Sequence, residues 1–429
     1  MWLFPLIALA CTGGDAPVVE PEVPVVVEAL EPPKVEPPER VTLAAVGDLV
    51  PHQSVLGTGR ELGWSVVFED MAPLATEADV AFVNLETPVA PDTGAWNTGH
   101  RNIVFNAPAD VLPALAGAGF DVVALANNHV YDQGVAGMLE TQRRVTEAGM
   151  TPVGAGTTPA EARQAHVVTV RGVRVAFLAT MDISNKQRTW VPSQTHRRGG
   201  EDFDPPPEEG FAFVAGPSCF TDCGVFRPAI FHPADEPMLF AAIKAARQQA
   251  DFVVLSFHWG VQYETTPRPE YPPLAERLID AGVDVILGHH AHVVQPIATH
   301  TAPDGREGVI AYSLGNFVSN MASEYRLGHR DSNGNTRDGM LLQLSFVKGP
   351  GDERSVEDVR VVPLWTDSQR GGRPGGPRVA VSPHEALVAR TPTEQQPAVQ
   401  QLLTRRRQVM TDIVGEQWMA KPEGVAKSE

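Results

Sequence analysis

The stretch Asp284–His292, DVILGHHAH, runs from a short apolar segment directly into three histidines. Short β-branched runs bounded by turn residues are typical of buried strands. Three imidazoles within four residues are unfavourable beside such a strand unless they bind or pair with something. The stretch therefore predicts a strand whose carboxyl end carries a polar site.

Five other apolar runs end in the same way. Each is followed at once by carboxylate, amide or imidazole side chains: Thr42–Val46 by Gly47-Asp48, Ala81–Val83 by Asn84-Leu85-Glu86, Val122–Leu125 by Ala126-Asn127-Asn128-His129, Val253–Phe257 by His258-Trp259-Gly260, and Ile310–Ser313 by Leu314-Gly315-Asn316. Helical patterns lie between several of the runs, at Gly134–Ala148, Glu236–Ala250 and Pro273–Ala281. Strands that alternate with helices predict an α/β fold whose strands are buried and partly parallel.

The polar residues at the six strand ends are expected to converge, because the carboxyl ends of strands in open α/β sheets share one edge. Carboxylates and imidazoles bind divalent Mn, Fe and Zn. One bridging carboxylate can hold two such ions about 3.5–4 Å apart, where they activate a shared water. An Asn-His pair such as Asn128-His129 can add an amide ligand and an imidazole for the substrate or leaving group.

Each motif taken singly also has an ordinary structural interpretation. Gly47-Asp48 is compatible with a turn, Asn127-Asn128-His129 with a helix N-cap, and His258 with a satisfied core histidine. Only the GHHAH motif is hard to explain without a ligand. Because all of the motifs stand at strand ends, together they favour one shared metal site.

The region 185–233 shows little periodicity and is rich in Pro, Gly, Arg, His and Asp, which favours a functional loop over or beside the site. Asp182 and Asn185 precede or begin this region, and they either line the same cleft or reflect ordinary loop polarity. Cys219 and Cys223 are predicted to form a small-loop disulfide, with two free thiols as the alternative.

The first ten residues, MWLFPLIALA, are too few to span a bilayer as a helix. They are typical of the apolar part of an export signal, and Cys11 follows directly. This arrangement resembles a bacterial lipoprotein signal, in which the cysteine becomes lipidated. No Lys or Arg precedes the run and Ala8 replaces the usual Leu, so a plain cleaved signal or a mis-assigned start stays open. Residues 12–40, rich in Pro, Val and Glu, predict an extended spacer.

Composition limits the partners. The chain has 429 residues, of which 43% are hydrophobic, and a net charge of −18. So acidic a surface argues against nucleic acid as the main partner, and it would repel a polyanionic polymer unless a metal or a basic patch intervened.

We divide the chain into a signal or lipobox-like segment (1–11), a Pro/Glu-rich linker (12–40), a main folded domain (41–348) and a C-terminal extension (349–429). Within the extension, 348–378 is predicted to be a loop or connection. A final helix is predicted around Gln395–Trp418, with Arg405, Arg406 and Arg407 on its solvated side.

The motifs in their order along the chain, including Tyr312-Ser313-Leu314-Gly315-Asn316-Phe317, resemble those of the CapA family of poly-γ-glutamate capsule synthesis proteins. The resemblance runs from about Val41 to about Val347. That family is in turn similar to the calcineurin-like metallophosphoesterases. The resemblance implies a four-layer α/β sandwich of two mixed β-sheets flanked by helices, with a dinuclear metal centre.

The resemblance also implies roles for individual residues. The implied metal ligands are Asp48 on the first ion, Glu86 in the bridging position, Asn128 and His258 on the second ion, and His290 and His292. The implied catalytic residues are His129, which would assist the leaving group, Asn128 and Glu86. The residues expected around the ligands are His52, Asn84, His289, Glu264 and Asn316. Gln262 stands where the family often has Glu, and Gln cannot act as an acid; Glu264 is the candidate to compensate.

Three functions are compatible with these observations. The first is an exported, lipid-anchored metallohydrolase that cleaves a phosphoester or related bond in capsule or envelope polymer metabolism. The second is a non-catalytic subunit that binds or exports poly-γ-glutamate beside polymer synthase subunits. The third is an amide hydrolase acting on γ-glutamyl or peptidoglycan links with the same activated water. The first hypothesis requires a membrane partner at Cys11 and an anionic polymer or phosphoester substrate.

Overall fold

A computed structural model describes residues 37–52, 54–91, 104–182, 211–212, 236–321, 334–351, 353–369 and 378–421. The strands in these ranges are β1 Glu39–Val50, β2 Val80–Leu85, β3 Val122–Ala124, β4 Thr151–Val153, β5 Ala155–Gly156, β6 His166–Val170, β7 Val173–Met181, β8 Phe211–Ala212, β9 Phe252–His258, β10 Val285–His289, β11 Ile297–Thr301, β12 Glu307–Ala311, β13 Asn316–Ser319, β14 Asp338–Lys348, β15 Arg354–Gln369 and β16 Arg378–Pro383.

The helices in the same ranges are α1 Ser54–Leu62, α2 Ser65–Phe68, α3 Ala72–Glu77, α4 Val111–Gly117, α5 Gly134–Glu147, α6 Pro159–Ala162, α7 Glu236–Gln249, α8 Tyr271–Asp280, α9 His384–Arg390 and α10 Gln396–Val414. Short 3₁₀ turns cover Gly334–Arg337 and Glu416–Trp418. Cys11, Cys219, Cys223 and Asn185 lie outside the described residues, as do the signal segment and nearly all of 185–233.

Two mixed sheets hold most of the strands. The larger has the order β16-β15-β14-β1-β2-β3-β4, with β13 also paired to β1, and the smaller has the order β11-β12-β10-β9-β7-β6. Strands β1 to β4 run parallel to one another, and so do β7, β9, β10 and β12. The parallel strands therefore bring their carboxyl ends to a common edge within each sheet.

Two mixed sheets packed face to face place the main core between them. Phe82 of β2 stacks on Phe177 of β7 with ring centroids 6.3 Å apart, and Phe252 of β9 lies 4.8 Å from Phe346 of β14. The outer face of the larger sheet packs on the helices α1 to α5. The outer face of the smaller sheet packs on α7 and α8. The resulting order of helices, sheet, sheet and helices confirms the predicted four-layer α/β sandwich.

The apolar runs form strands because both of their faces are covered. Every residue of β9, FVVLSFH, is buried, and so is every residue of β2 and β10. Parallel strands buried on both faces show continuous apolar sequence rather than alternation. These strands could therefore be predicted from their continuous apolar sequence.

The prediction that 348–378 forms a loop or connection is wrong for Arg354–Gln369. That segment is β15, which pairs with β14 on one side and with β16 on the other, so the larger sheet continues beyond residue 348. The charged residues and Pro363 of β15 have low strand propensity. Pairing with neighbours on both sides outweighs that propensity.

The predicted exposure of the arginines on the last helix is wrong for Arg406, which is 8% exposed. Its guanidinium bonds to the buried carboxylate of Asp338, at 3.0 Å from Nε to Oδ1. Arg405 beside it is exposed, as predicted. Helical geometry places consecutive residues about 100° apart, so neighbours in a run of arginines face different surroundings.

Within the part of the chain that the structure describes, no helix is both long enough and apolar enough to cross a bilayer.

Candidate metal centre

The polar residues predicted at the strand ends come together between the carboxyl edges of the two sheets. Asp48 of β1 is in register with Asn84 of β2 and with Asn316 of β13. In the smaller sheet, His258 at the end of β9 is in register with His289 at the end of β10. Because these strands run parallel, residues far apart in sequence reach the same edge.

Two groups of side chains have the spacing needed to hold a metal ion. One comprises Glu86, His258 and His290, and the other comprises Asp48, Glu86 and His292; within each group the candidate ligand atoms lie within 4.8 Å of one another. All five residues are buried. Glu86 belongs to both groups, which is the arrangement of a carboxylate shared by two ions.

The surroundings of the Glu86 carboxylate suit a bound metal ion better than a carboxylate without one. It is fully buried, and neither of its carboxylate oxygens has a hydrogen-bond partner among the described residues. His258 Nε2 lies 3.6 Å from the Oε1 atom of Glu86, and His292 Nε2 lies 3.7 Å from the same atom. Burial, and then the nearby charge of Asp48, raises the pKa of Glu86 well above its usual value. A carboxylate in this position is unfavourable until a cation binds it.

His258 and His290 are in the form that binds metal. Burial, followed by the neighbouring His290, holds the pKa of His258 well below its ordinary value. Burial and then His292 lower the pKa of His290 to about 3. Both rings are therefore neutral near pH 7, and a neutral imidazole offers the lone pair that a metal needs.

Asp48 is the ionised carboxylate of the site. Burial opposes its ionisation, but His289 and His292 outweigh burial and lower its pKa well below the usual value. The Asn84 amide donates to Oδ1 at 2.8 Å, and the backbone amide of His290 donates to Oδ2 at 3.1 Å. These bonds orient the carboxylate toward the cluster.

The segment that carries the last two histidines has an unusual backbone. His290 has a φ of +85° and His292 a φ of +57°, values that residues with a Cβ rarely adopt. The strand leads into this segment through Gly288, where a Cβ would lie 1.9 Å from the carbonyl oxygen of Tyr312. Gly47 is equally crowded, with a Cβ position 1.9 Å from the carbonyl oxygen of Gly315. Only glycine permits these approaches, which bring the ligands together.

Asn128 stands beside the group of Glu86, His258 and His290, and His129 follows it in the chain. The Oδ1 atom of Asn128 lies 2.9 Å from His258 Nε2. The Nδ1 atom of His129 lies 2.7 Å from the carboxylate of Asp132, which also accepts the backbone amide of Phe105 at 2.7 Å. The contact with Asp132 orients the imidazole of His129.

The residues predicted around the ligands differ in their placement. Asn84 bonds to Asp48, the Oδ1 atom of Asn316 lies 3.0 Å from His292 Nδ1, and His289 Nδ1 lies 3.2 Å from Asp48 Oδ1. The Nδ1 atom of His52 lies 2.9 Å from the Val50 carbonyl oxygen, and its ring centroid lies 5.3 Å from that of Phe105. Glu264 has an exposed side chain, and its backbone carbonyl accepts the Gln295 amide. Gln262 is partly exposed. The ligand and catalytic roles themselves stay predictions.

Asp182 lies next to the cluster rather than inside it. Its backbone amide donates to the His258 carbonyl at 3.2 Å, and its carboxyl accepts the Tyr271 hydroxyl at 2.7 Å. Burial raises the pKa of Asp182 to about 8. These contacts support the backbone at the end of β9. Asp182 thus has a structural role that differs from both sequence-based interpretations, a cleft-lining residue or ordinary loop polarity.

Two supporting residues were missed in the sequence. Asn127 donates to Asn84 Oδ1 at 3.2 Å and to the Leu85 carbonyl at 2.9 Å, and it accepts the His129 amide. Phe105 packs its ring 4.2 Å from that of His129. The repeated Asn of Asn127-Asn128 was a usable signal for the first residue; nothing local marks Phe105, which reaches the site from another loop.

Comparison with known proteins identifies related chains. A family model described as bacterial capsule synthesis protein PGA_cap matches residues 42–321. The capsule biosynthesis protein CapA of Bacillus anthracis is 31% identical over 295 residues, which are 68% of this chain and 62% of that protein. The PGA biosynthesis protein CapA of Bacillus subtilis (strain 168) is 30% identical over 321 residues, which are 74% of this chain and 71% of that protein.

Among solved structures, that of NAD nucleotidase (NadN) from Haemophilus influenzae aligns with a TM-score of 0.40 and 13% identity. The alignment covers 86% of this chain and 56% of that one. The match to the Bacillus anthracis protein likewise spans less than two thirds of that protein's length.

Proposed function

Because the chain belongs to the PGA_cap family of bacterial capsule synthesis proteins, as its motifs had indicated, we propose that it serves capsule or envelope polymer metabolism as a metal-dependent hydrolase. The bond cleaved is of the phosphoester type. The names of its relatives refer to capsule and PGA biosynthesis, which supports poly-γ-glutamate or a related anionic polymer as the context and synthase subunits as partners.

The shared position of Glu86 is the observation that carries this proposal. Glu86 is a buried carboxylate whose two oxygens have no hydrogen-bond partner among the described residues, and it belongs to both histidine-containing groups, so the cluster has the donor set of a dinuclear centre. The ligands would be Asp48, Glu86, Asn128, His258, His290 and His292. Mixed carboxylate, amide and imidazole donors suit Mn, Fe or Zn. When bound, such ions activate water and neutralise charge on a phosphoryl oxygen.

The remaining chemistry belongs to the chain itself. His129 would hold a proton on Nε2 and donate it to the leaving oxygen, while Asp132 holds the other ring nitrogen. Asn84 and Asn316 would keep Asp48 and His292 oriented, since each bonds to the candidate ligand from outside. The positive φ values of His290 and His292 would hold both rings in place before the substrate arrives.

The hydrolase proposal is tested by metal analysis and turnover on the purified chain. With Mn added, we expect bound metal by elemental analysis and cleavage of bis(p-nitrophenyl) phosphate or p-nitrophenyl phosphate. His258→Ala and Asp48→Asn should each lower the rate on the order of 10³-fold, because several kcal/mol of charge stabilisation depend on the ions. His300→Ala and Asp280→Asn are the matched controls, since these residues form a half-exposed pair on α8 and β11.

A wild-type protein that binds no metal would contradict the proposal. Metal binding without cleavage of either ester would favour the other candidate, a non-catalytic subunit that binds or exports poly-γ-glutamate. The family context is shared by both candidates, so the assay separates them and the relatives' names do not.

We further propose that the protein is exported and held at a membrane surface, facing the periplasm or the cell exterior, through lipidated Cys11. The apolar segment before Cys11 and the Pro/Glu-rich spacer after it support this arrangement. Cys11→Ser should move the protein from the membrane fraction to the soluble fraction, whereas Cys219→Ser should leave it in the membrane fraction. Continued sedimentation of Cys11→Ser with membranes would show that the anchor is wrong.

A further inference from the structure

Tyr263 stands beside the candidate metal centre with much of its ring in solvent. The residue is 54% exposed, and its ring centroid lies 6.2 Å from that of His292. An exposed aromatic ring gains little from packing, so its own contribution to the fold is small. Its place beside a candidate ligand therefore needs another explanation.

The backbone of Tyr263 is strained as well. Its φ is +69°, in the left-handed region that favours glycine. Five described residues other than glycine have a positive φ, and three of them, Tyr263, His290 and His292, lie at the candidate centre. Strained residues persist where the surrounding structure holds them, and they concentrate at ligand-binding sites.

Two hydrogen bonds hold Tyr263 in this conformation. Its backbone amide donates at 2.7 Å to the carbonyl of Ala291, the residue between the two candidate ligand histidines. The buried side chain of Gln295 donates at 2.8 Å to the carbonyl of Glu264. The Tyr263 loop is thus tied directly to the segment that carries His290 and His292, which fixes the backbone from which the ring projects beside the site.

We propose that Tyr263 is a specificity-determining residue that contacts the substrate next to its reacting group. Its exposed ring packs against a planar group attached to a phosphorus centre, while the anionic phosphoryl oxygens occupy the candidate metal centre. This inference rests on the proposed function for the location of the anionic group. Aromatic rings recognise planar groups by offset or edge-to-face contact, which suits an exposed ring carried on a backbone that is held in place.

The test compares the binding of two inert anions that differ only in the planar group. Calorimetry of the full chain loaded with Mn should show phenylphosphonate binding about 3- to 10-fold more tightly than methylphosphonate. Tyr263→Ala should reduce that preference to below about twofold while the affinity for methylphosphonate and the Mn content stay unchanged. Retention of the preference in Tyr263→Ala, or its absence in the wild type, would overturn the proposal.

A second variant separates a binding role from a structural one. Tyr263→Gly relieves the positive φ, so the midpoint of thermal unfolding should stay within about 2 °C of wild type although the phenyl preference is lost. A fall well beyond that range would mean that the ring serves the fold, and would also overturn the proposal. Asp358→Gly is the control, because Asp358 is exposed, has a φ of +53° and belongs to β15. It should keep the phenyl preference intact.

These measurements do not depend on turnover. If both phosphonates bind with the expected preference and no ester is cleaved, hydrolysis is refuted and the role of Tyr263 stands. If esters are cleaved and the preference survives Tyr263→Ala, the hydrolase proposal stands and the role of Tyr263 is refuted.

Discussion

Glu86→Gln is expected to remove bound metal and phosphoesterase activity together, without unfolding the protein. The carboxylate is shared by both groups of candidate ligands, so its loss weakens both metal positions at once. An amide retains the shape of the side chain but carries no charge to offset a cation. The rate should fall on the order of 10³-fold or more, since each 1.4 kcal/mol of lost charge stabilisation is a factor of ten. Elemental analysis and ester hydrolysis measure the two effects.

In the metal-free protein, Glu86→Gln should leave the stability of the fold unchanged or raise it. Burial raises the pKa of Glu86 in the folded chain, whereas an unfolded glutamate titrates near pH 4.3. The folded state therefore binds the proton more tightly, which adds stability below about pH 4.3 that is lost as the pH rises through the folded pKa. Near neutral pH, metal-free Glu86→Gln should thus unfold at a temperature equal to or above that of metal-free wild type.

The control for this variant is Glu147→Gln, which makes the same chemical change at an exposed ion pair on α5. It should leave metal content, activity and stability close to those of wild type. Full metal occupancy in Glu86→Gln would show that Glu86 is not the shared ligand. A lower unfolding temperature of the metal-free variant near pH 7 would show that the carboxylate is satisfied within the protein.

Arg406→Met is expected to cause a large loss of stability although it lies outside the metal centre. The guanidinium pairs with Asp338, which is fully buried, and donates to Asn335 at 2.7 Å. It also lies 5.8 Å from the ring of Trp365. Removing one partner of a buried pair leaves an uncompensated charge and costs about 3–5 kcal/mol. Burial raises the pKa of Asp338 to about 6, so unfolding in urea should be measured at pH 7.5, where the carboxyl is ionised.

Arg405→Met provides the matched control, because it makes the same change one residue earlier on the exposed side of α10. Its free energy of unfolding should change by less than about 0.5 kcal/mol. The double variant Arg406→Met with Asp338→Asn should recover part of the loss, since the unpaired charge is then gone. Equal stability of Arg405→Met and Arg406→Met would contradict the buried pair.

The same substitution is expected to reach the metal centre. Arg406 donates to the side chain of Asn335. The backbone carbonyl of the following residue, Thr336, accepts a hydrogen bond from the side-chain amide of Asn316 at 2.8 Å. Asn316 in turn lies against His292. Loss of a direct contact to a ligand typically weakens metal binding about 10- to 100-fold. Arg406→Met acts on that contact only through Asn335 and Thr336, so it should lower Mn affinity by less than this, and Arg405→Met should leave Mn affinity unchanged. The C-terminal helix, which lies outside the matched residues 42–321, would then contribute to the site.

Much of this architecture could be predicted from the sequence because its determinants are local. Strands covered on both faces must be apolar along their whole length, so β2, β9 and β10 appeared as continuous runs. Polar residues directly after such runs must lie at the strand ends, and parallel pairing then brings them together. The choice of His290 and His292 over His289 came from the family resemblance instead, and the structure places the His289 ring against Asp48 and Phe82.

Other features depend on residues that are distant in the chain, and only the tertiary structure decided them. Strand β15 forms because β14 and β16 bond to its two edges, although its charges and proline disfavour a strand. Arg406 is buried because Asp338 lies opposite it. The left-handed backbone of Tyr263, and with it the exposed ring beside His292, exists because Ala291 accepts its amide. Local sequence determines which residues can be buried or can bind metal. Long-range contacts determine which of these residues meet, because the free energy of such contacts is gained only when the chain has folded.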